Sequence, residues 1–191
     1  MTGSGVLPST IHKGKLYFLF GKENNKEDSA KGFSDFGGGV EYGESIPQTA
    51  IREGAEELTG FLGNPTEFKK LVNKNGGVFP VQIENYHTHI FPIKYDEMLP
   101  VYYNNNHSFL WNRMNKKLLN ETKLFEKIEI RWFSISDMKK HIKLFRTFYQ
   151  TMVRTIIDSK SKIISFLRQQ IKSNTRYKKT KKKNKTRKIW L

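Results

Sequence analysis

A segment in the first third of the chain combines glycines with closely spaced glutamates. Glu53, Glu56 and Glu57 follow three consecutive glycines at 37–39. On an α-helix the three carboxylates lie within an arc of about 100° and are neighbours in space. Like charges this close repel one another, so a bound cation would offset the cost. Oxygen-only ligands favour hard ions, so the pattern indicates a site for Mg²⁺ or Mn²⁺, although an isolated Glu-x-x-Glu-Glu is more often a solvated helix face.

The residues around the glutamates predict the helix that carries them. Ser45 and Gln48 form a capping-box pattern, and Pro47 suits the first turn of a helix. Apolar and small residues repeat at helical spacing on a different flank, which is expected to pack inward: Ile46, Ala50, Ile51, Gly54, Ala55 and Leu58. Gly60 is expected to end the helix. The segment therefore predicts one amphipathic helix with a separate carboxylate face.

Two neighbouring features would support such a site. Arg52 precedes the glutamates, and Glu44 lies eight residues before Arg52. A pair between them would lock the preceding loop onto the helix, because a guanidinium binds a carboxylate through two parallel hydrogen bonds. The glycine run is expected to form a turn that passes close to a phosphate or presents a carbonyl to a metal. Gly38 is therefore a candidate backbone ligand.

The spacing from Gly38 to Glu57 resembles the signature of the Nudix hydrolase family, G-x5-E-x7-R-E-U-x-E-E-x-G-U, in which U is a bulky aliphatic residue. Six positions agree with it: Gly38, Glu44, Arg52, Glu53, Glu56 and Glu57. Two positions depart from it, because Gly54 stands in a bulky aliphatic position and Thr59 in place of the closing glycine, with Gly60 one residue later. Gly54 is expected to weaken the helix by about 0.5–1 kcal/mol relative to alanine. Neither departure removes a carboxylate.

The resemblance covers residues 5–158 and implies a single α/β (α+β) domain, an αβα sandwich built on a mixed β-sheet. It also implies a Mg²⁺- or Mn²⁺-dependent nucleotide pyrophosphohydrolase, which cleaves a phosphoanhydride bond in a nucleoside diphosphate linked to another moiety. Some members of the family instead remove the 5′ cap from RNA. A third alternative is a non-catalytic module that binds a nucleotide or RNA, and the intact glutamates favour an enzyme over that module.

The family's site residues carry over to the matching positions of this chain. The implied metal ligands are Glu53, Glu56, Glu57 and the backbone carbonyl of Gly38. The implied supports of the loop and of the ligands are Glu44, Gly38 and Arg52. With the general base included, the implied catalytic set is Glu53, Glu57, Glu126 and Arg52.

The general base has two candidate sources. Family members take it from the signature segment, where Glu53 is the candidate, or from a loop before a late strand. Outside the segment, Glu126, six residues before Trp132, is the first candidate, and Glu129 lies three residues before Trp132. His87 and His89 are weaker alternatives, because lone histidines near strands are more often structural or exposed.

Hydrophobic patterns elsewhere predict the remaining elements of one domain. Alternating or continuous apolar stretches predict strands at 5–11, 16–20, 33–36, 78–83, 87–95 and 128–133. A cap at Ser134 predicts a short helix, and apolar spacing from Leu144, resumed at Ile163, predicts closing helices that complete the core. Residues 99–120 form an insert rich in aromatic residues and asparagine. Its aromatics either cover the core, which is the more common role, or stack on a base and contribute to the choice of substrate.

Length and composition limit the classes of protein that the chain can represent. Its 191 residues suffice for one domain with a sizeable core but hardly for two. The absence of cysteine excludes disulfides, thiolate metal sites and cysteine nucleophiles. The start lacks the pattern of a secretory signal, and the early apolar run is too short to span a membrane, so we expect an intracellular, cytoplasmic protein.

The net charge of +16 comes mostly from the C-terminal end, where residues 168–191 contain eleven Lys or Arg residues and no acid. We expect a catalytic domain over 1–171 and a disordered basic tail over 172–191. The tail is either an incidental solubilising end, a nuclear targeting patch or an arm that holds RNA. Candidates for contacts with RNA or phosphate are Lys181, Lys182 and Lys183 in the tail and Lys22 at the end of an early strand.

Overall fold

A seven-stranded mixed sheet forms the centre of the computed structural model, which describes residues 2–24, 31–115, 117–118 and 126–170. The strands are β1 (Gly3–His12), β2 (Lys15–Glu23), β3 (Phe33–Ser34), β4 (Phe36–Gly39), β5 (Phe79–Ile83), β6 (Tyr86–Pro92) and β7 (Lys127–Ser134). The helices are α1 (Ile46–Glu57), α2 (Pro65–Lys74), α3 (Leu99–Trp111), α4 (Ile135–Lys140), α5 (Tyr149–Asp158) and α6 (residues 160–170), with a 3₁₀ turn at Ile142–Leu144. None of the described helices has the length and apolar composition of a membrane span.

The sheet is built around β1. The first half of β1 pairs antiparallel with β4 and the second half with β2, while its other edge pairs parallel with β6. β2 also pairs with β3 and β7, and β5 completes the far edge on β6. The stretch 33–39 therefore pairs with β2 at its start and with β1 at its end, which brings the glycine run into the middle of the sheet.

Alternate side chains along the strands enter two hydrophobic cores, one on each face of the sheet. Val6 and Leu19 belong to the core under α1 and α2, together with Phe68 of α2. Leu7 and Phe20 belong to the opposite core, which α4, α5 and α6 cover. The structure is therefore the αβα sandwich on a mixed sheet that the sequence predicted.

Helix α1 begins as predicted and packs unusually closely on its neighbours. The side-chain oxygen of Gln48 accepts a hydrogen bond from the backbone N–H of Ser45 at 2.9 Å, which completes the capping box. A Cβ added to Gly54 would lie against Val6 and 2.7 Å from Cε1 of Phe68. Phe68 thus occupies the space that an aliphatic side chain at 54 would need, and glycine lets α1 approach β1 and α2.

The chain leaves α1 through two residues with left-handed backbone. Helix α1 ends at Glu57, after which Thr59 has φ of +48° and Gly60 has φ of +75°. Gly60 follows the helix as predicted, but Thr59 also adopts the conformation that glycine prefers after a helix. Because a β-branched residue at positive φ is sterically strained, Thr59 preserves the path of the chain at a cost in stability.

The glycine run was predicted as a turn, and that prediction is wrong, because the run forms strand β4. Gly37 is paired with Gly5 across β4 and β1. A Cβ on Gly37 would lie against the Cα of Gly5 and 2.6 Å from the carbonyl oxygen of Ser4. Glycine is therefore required by the close approach of two backbones, which a sequence does not distinguish from a turn. The strand predicted over 33–36 divides at Asp35 into β3 and β4.

Two helices in the structure were not predicted from the sequence. Helix α2 begins at a capping box, in which the side-chain oxygen of Asn64 accepts a hydrogen bond from the backbone N–H of Glu67 at 3.0 Å. This pattern was a readable signal. Helix α3 occupies the insert at 99–120 as far as Trp111, and its asparagine-rich sequence has low helix propensity.

The closing helix begins later than the apolar spacing predicted. Leu144 lies in the 3₁₀ turn and Phe145 is extended, so α5 starts only at Tyr149. The backbone N–H of Arg146 donates to the carbonyl oxygen of Phe33 at 3.0 Å, which draws this segment onto β3. Pairing with the sheet therefore overrides the local helical pattern.

Asp35 is a fully buried carboxyl between β3 and β4. It accepts hydrogen bonds from the hydroxyls of Tyr86 at 2.8 Å and Thr88 at 2.7 Å, both on β6. The Thr88 hydroxyl also lies 3.1 Å from the hydroxyl of Tyr149 on α5. Burial raises the pKa of Asp35 to about 6, although the hydroxyl donors oppose the shift.

Replacing Thr59 with glycine is expected to stabilise the protein by about 1 kcal/mol. Relief of a strained left-handed residue outweighs the entropy that glycine adds to the unfolded chain. The free energy of unfolding in urea measures the change. Thr59→Ala keeps the Cβ and is the matched control, so equal stability of the two variants would contradict the strain argument.

Asp35 is expected to make the protein less stable as the pH rises from about 4 to about 6. The raised pKa means that the folded state keeps the proton after the unfolded state has lost it, so unfolding becomes easier until both states are ionised. Asp35→Asn removes this slope. The free energy of unfolding of the variant, relative to the parent, should therefore rise by about 2 kcal/mol between pH 4 and pH 7, and a constant difference would contradict the raised pKa.

Candidate active site

Three carboxylates from two elements converge at one end of α1. Glu53 and Glu57 lie on α1, and Glu126 lies immediately before β7. One oxygen of each carboxylate lies within 4.8 Å of the oxygens chosen from the other two. An oxygen-only set of this size suits a hard divalent cation. The structure thus brings the outside candidate Glu126 to the glutamates of the signature segment.

Glu57 is held from two sides. Its side chain is buried, with 5% of the residue exposed. The backbone N–H of Gly37 donates to Oε2 at 2.7 Å, and the ammonium of Lys127 lies 3.3 Å from Oε1. Burial raises the pKa of Glu57 well above its ordinary value, and Lys127 opposes the shift. The carboxylate is therefore fixed in orientation by groups on β4 and β7.

Glu53 is held by its neighbour Arg52 and by the glycine strand. The Nη1 of Arg52 donates to Oε1 of Glu53 at 2.8 Å. A Cβ on Gly38 would lie against Oε1 and 2.6 Å from the carboxylate carbon of Glu53. A side chain at position 38 would therefore displace Glu53, which gives Gly38 a steric role beside its predicted role as a backbone ligand.

Arg52 also forms the predicted pair with Glu44. Its Nε donates to Oε1 at 2.7 Å and its Nη2 to Oε2 at 3.0 Å, in the two-pronged geometry. The hydroxyl of Thr49 donates to the same carboxylate at 2.8 Å. These hydrogen bonds, that of Arg52 first, lower the pKa of Glu44 to about 2. The loop before α1 is thereby attached to the helix that carries Glu53.

Glu56 lies outside this cluster in the structure. Its side chain is 51% exposed, and its carboxylate is 3.3 Å from Nη1 of Arg52. Arg52 therefore lies between Glu56 and the pair formed by Glu44 and Glu53. The role of Glu56 as a metal ligand stays a prediction.

The weaker candidates from the sequence are not brought to the cluster. Glu129 accepts a hydrogen bond from Arg131 at 3.0 Å and lies 3.8 Å from the ammonium of Lys22. Glu129 and Lys22 therefore belong to a network of charged side chains on β2 and β7. His87 and His89 lie on β6, on the edge of β1 opposite to β4. Burial lowers the pKa of His89. The tail candidates Lys181, Lys182 and Lys183 lie outside the described residues.

Lys127 is a site residue that the sequence did not indicate. It is fully buried, and its ammonium contacts the carboxylate of Glu23, the hydroxyl of Ser34 at 3.0 Å and the carboxylate of Glu57. Burial opposes its charge, but the two carboxylates outweigh burial and raise the pKa of Lys127. No local pattern marks it, because its partners come from β2, β3 and α1.

The insert holds the two ends of the site together. The hydroxyl of Tyr103 on α3 lies 2.8 Å from the carbonyl oxygen of Glu57 and 3.0 Å from that of Lys127. The next residue, Asn104, accepts a hydrogen bond from the backbone N–H of Ile130 at 2.8 Å. The insert thus positions the start of β7 against the end of α1, and the buried Tyr103 supports the packing role that was expected for its aromatics.

A cleft of about 560 Å³ lies between α5 and the turn that joins β5 to β6. Its lining includes the turn between β5 and β6, the ring of Tyr86 and the half-exposed ring of Phe148, which meet at 6.2 Å between centroids. A Cβ on Gly37 would lie 2.5 Å from the Tyr86 hydroxyl, and Gly37 also binds Glu57. A larger groove of about 760 Å³ lies between α1 and α2 and includes Arg52 in its lining, and none of the three clustered carboxylates lines either recess.

Comparison with known proteins gives one family match and several similar folds. The profile of the NUDIX domain matches residues 12–155. In structure the chain is similar to the Nudix hydrolase RenU from M. smegmatis, with a TM-score of 0.51 and 11% identity over 85% of this chain and 88% of that chain. It is also similar to the C. elegans Ap4A hydrolase in a binary complex, with a TM-score of 0.45 and 15% identity over 86% of this chain and 97% of that chain. No curated protein matches the chain in sequence.

The similarity to RenU supports the fold, and the domain match carries the assignment to a family. The match includes the whole stretch from Gly38 to Glu57 and most of the chain. Glu126, which completes the carboxylate cluster, also lies inside it. The chain is therefore a member of the Nudix hydrolase family.

Proposed function

We propose that the chain hydrolyses a phosphoanhydride bond in a nucleoside diphosphate linked to a second group, with Mg²⁺ or Mn²⁺ as its cofactor. The observation that carries the proposal is the convergence of Glu53, Glu57 and Glu126 at one end of α1. We assign the nucleoside to the cleft that contains the exposed ring of Phe148. The carboxylates suit a cation that binds phosphate oxygens, and the cleft suits a flat nucleobase.

The three carboxylates fit a divalent cation by their chemistry. All donors are oxygens, the cluster is partly buried, and the carboxylates repel one another without a cation. When bound, such an ion neutralises phosphate oxygens and stabilises the charge that develops during hydrolysis. Whether Mg²⁺ or Mn²⁺ serves better depends on the ligand geometry, since Mg²⁺ demands a near-octahedral arrangement.

The surroundings of each carboxylate suggest different roles. Glu57 is fixed by a backbone N–H and by Lys127, and Glu53 is fixed by Arg52, so both suit the binding of a cation. Glu126 comes from a separate segment before β7. We assign Glu126 as the base that takes the proton from the attacking water, because it can approach the site from a different side.

The cleft provides a place for the nucleoside. Phe148 is 55% exposed, and one face of its ring is covered by the guanidinium of Arg146 at 4.6 Å. A base bound beside Phe148 and Tyr86 would lie next to Gly37, whose N–H binds Glu57. For hydrolysis, the phosphates of a nucleotide bound there would have to extend past the ring of Tyr86 to reach the carboxylates.

Glu57→Gln and Glu126→Gln are each expected to lower kcat by about 100-fold or more, because each removes a cation ligand or the base. Glu56→Gln tests whether the signature glutamate that lies outside the cluster also contributes to kcat. Glu97→Gln, on the surface before α3, is the matched control and should retain activity. Thermal unfolding separates loss of catalysis from loss of fold, and undiminished turnover in the Glu57 and Glu126 variants would overturn the assignment.

A substrate panel identifies the group that is linked to the nucleoside diphosphate. It comprises nucleoside triphosphates, dinucleoside polyphosphates, nucleotide sugars and capped RNA, each assayed with Mg²⁺ and with Mn²⁺. Release of a nucleoside mono- or diphosphate from at least one substrate is expected. No hydrolysis of any member with either ion would contradict the proposed reaction.

Phe148→Ala is expected to raise KM about tenfold and to change kcat little, since stacking on one aromatic ring contributes about 1–3 kcal/mol to the binding of a base. Phe148→Tyr keeps the ring and should keep KM. Leu144→Ala removes a similarly exposed side chain that does not line the cleft and serves as the control. An unchanged KM in Phe148→Ala would place the nucleoside elsewhere.

A further inference from the structure

Lys127 makes three polar contacts in a fully buried position. Its ammonium meets the carboxylates of Glu23 and Glu57 and the hydroxyl of Ser34, so each of its three N–H donors has an acceptor. Burying a charge is costly unless it is paired and hydrogen-bonded. A lysine at this position, where an apolar residue would cost less to bury, therefore indicates a role for its charge.

The two carboxylates differ in their dependence on Lys127. Glu23 has a second cation, because Nη1 of Arg146 donates to its Oε1 at 2.6 Å. Glu23 also accepts a hydrogen bond from Ser34 at 3.2 Å. Within the described part of the chain, the ammonium of Lys127 is the cation that pairs with Glu57. Loss of Lys127 would thus leave Glu23 compensated and Glu57 without a counter-charge.

We propose that Lys127 is a positioning residue that serves as a resident cation for Glu57, so that the carboxylate site is formed before a divalent cation binds. The inference rests on the proposed metal site but not on the identity of the substrate. Lys127 holds Oε1 of Glu57 while Gly37 holds Oε2, and one oxygen of Glu57 lies within 4.8 Å of an oxygen of Glu53 and of Glu126. The ammonium also reduces the negative field of the cluster and so moderates its affinity for a cation.

The backbone at Lys127 is held next to the end of α1. Tyr103 binds the carbonyl oxygens of Lys127 and Glu57 through one hydroxyl. The position of the ammonium relative to Glu57 is therefore set by the fold and does not depend on a flexible surface side chain. Since Glu126 is the residue before Lys127, the same constraint also sets where the third carboxylate begins.

The proposal distinguishes a resident cation from a residue that only fills space. If Lys127 neutralises Glu57, then in Lys127→Met a divalent cation becomes the counter-charge of Glu57, and folding becomes coupled to metal binding. If Lys127 only fills space, the loss of stability in Lys127→Met would be the same with and without metal.

The experiment compares the full chain with four variants by thermal unfolding in EDTA and in Mn²⁺, and by titration with Mn²⁺ alone. Lys127→Met removes the cation of Glu57. Arg146→Met removes a cation from Glu23 but not from Glu57, and is the matched control. Lys127→Met with Glu57→Gln removes both charges. Lys127→Gln keeps a polar side chain and is used if Lys127→Met does not fold in either condition.

Lys127→Met is expected to bind Mn²⁺ about tenfold more tightly than the parent, because a like charge a few ångströms from the ion is gone. Addition of Mn²⁺ should raise the Tm of Lys127→Met by at least about twice as much as it raises the Tm of the parent; this rise is the metal increment. Arg146→Met should keep the parent's Mn²⁺ affinity and increment, and the double variant should lose the enhanced increment.

Equal Mn²⁺ affinity and equal metal increments in Lys127→Met, Arg146→Met and the parent would overturn the proposal. An enhanced increment that persists in the double variant would also overturn it, because the effect would not pass through Glu57. If no variant and no parent protein binds Mn²⁺, the proposed metal site itself fails. That result differs from one in which the parent binds Mn²⁺ and the Lys127 substitution has no effect, which overturns only the role of Lys127.

Discussion

The buried pair of Glu57 and Lys127 is the interaction on which the rest of the site depends. Its two members come from α1 and β7, and it is extended by Glu23 on β2 and by Arg146 before α5. A buried ion pair contributes little net stability, since replacing both charged residues with apolar residues of similar volume is often neutral or stabilises the protein by roughly 1–4 kcal/mol. What the pair provides is a fixed carboxylate at the junction of four elements, which an apolar contact would not supply.

The parts of the site that could be predicted from the sequence are local in the chain. The helical spacing of Glu53 and Glu57, and the pair between Arg52 and Glu44, follow from the geometry of one helix and its preceding loop. Lys127 and Glu23 are 104 positions apart. A lysine between Glu126 and Ile128, in a segment that alternates charged and apolar residues, does not reveal its partner. The predicted set therefore lacked the groups that support the carboxylates across the sheet.

The secondary structure likewise depends partly on local sequence patterns and partly on contacts between distant residues. Period-two and period-3.6 patterns give most of the strands and helices, because they report which residues face a core. The glycine strand, the late start of α5 and the helical insert depend on pairing with distant backbone. At Gly37 the requirement is the approach of Gly5, and at Phe145 it is the pairing of the following residue with Phe33. These contacts leave no periodic pattern in the sequence.

Strand β4 has a consequence for how the enzyme can change. Its three glycines make one wall of the reaction centre out of main chain alone, and that wall fixes Glu57 by an N–H and Glu53 by contact. Main-chain groups are the same whatever residues surround them. Under the proposed function, the parts that would vary with the substrate are the turn between β5 and β6 and the segment before α5, while the main-chain contacts to Glu53 and Glu57 stay constant.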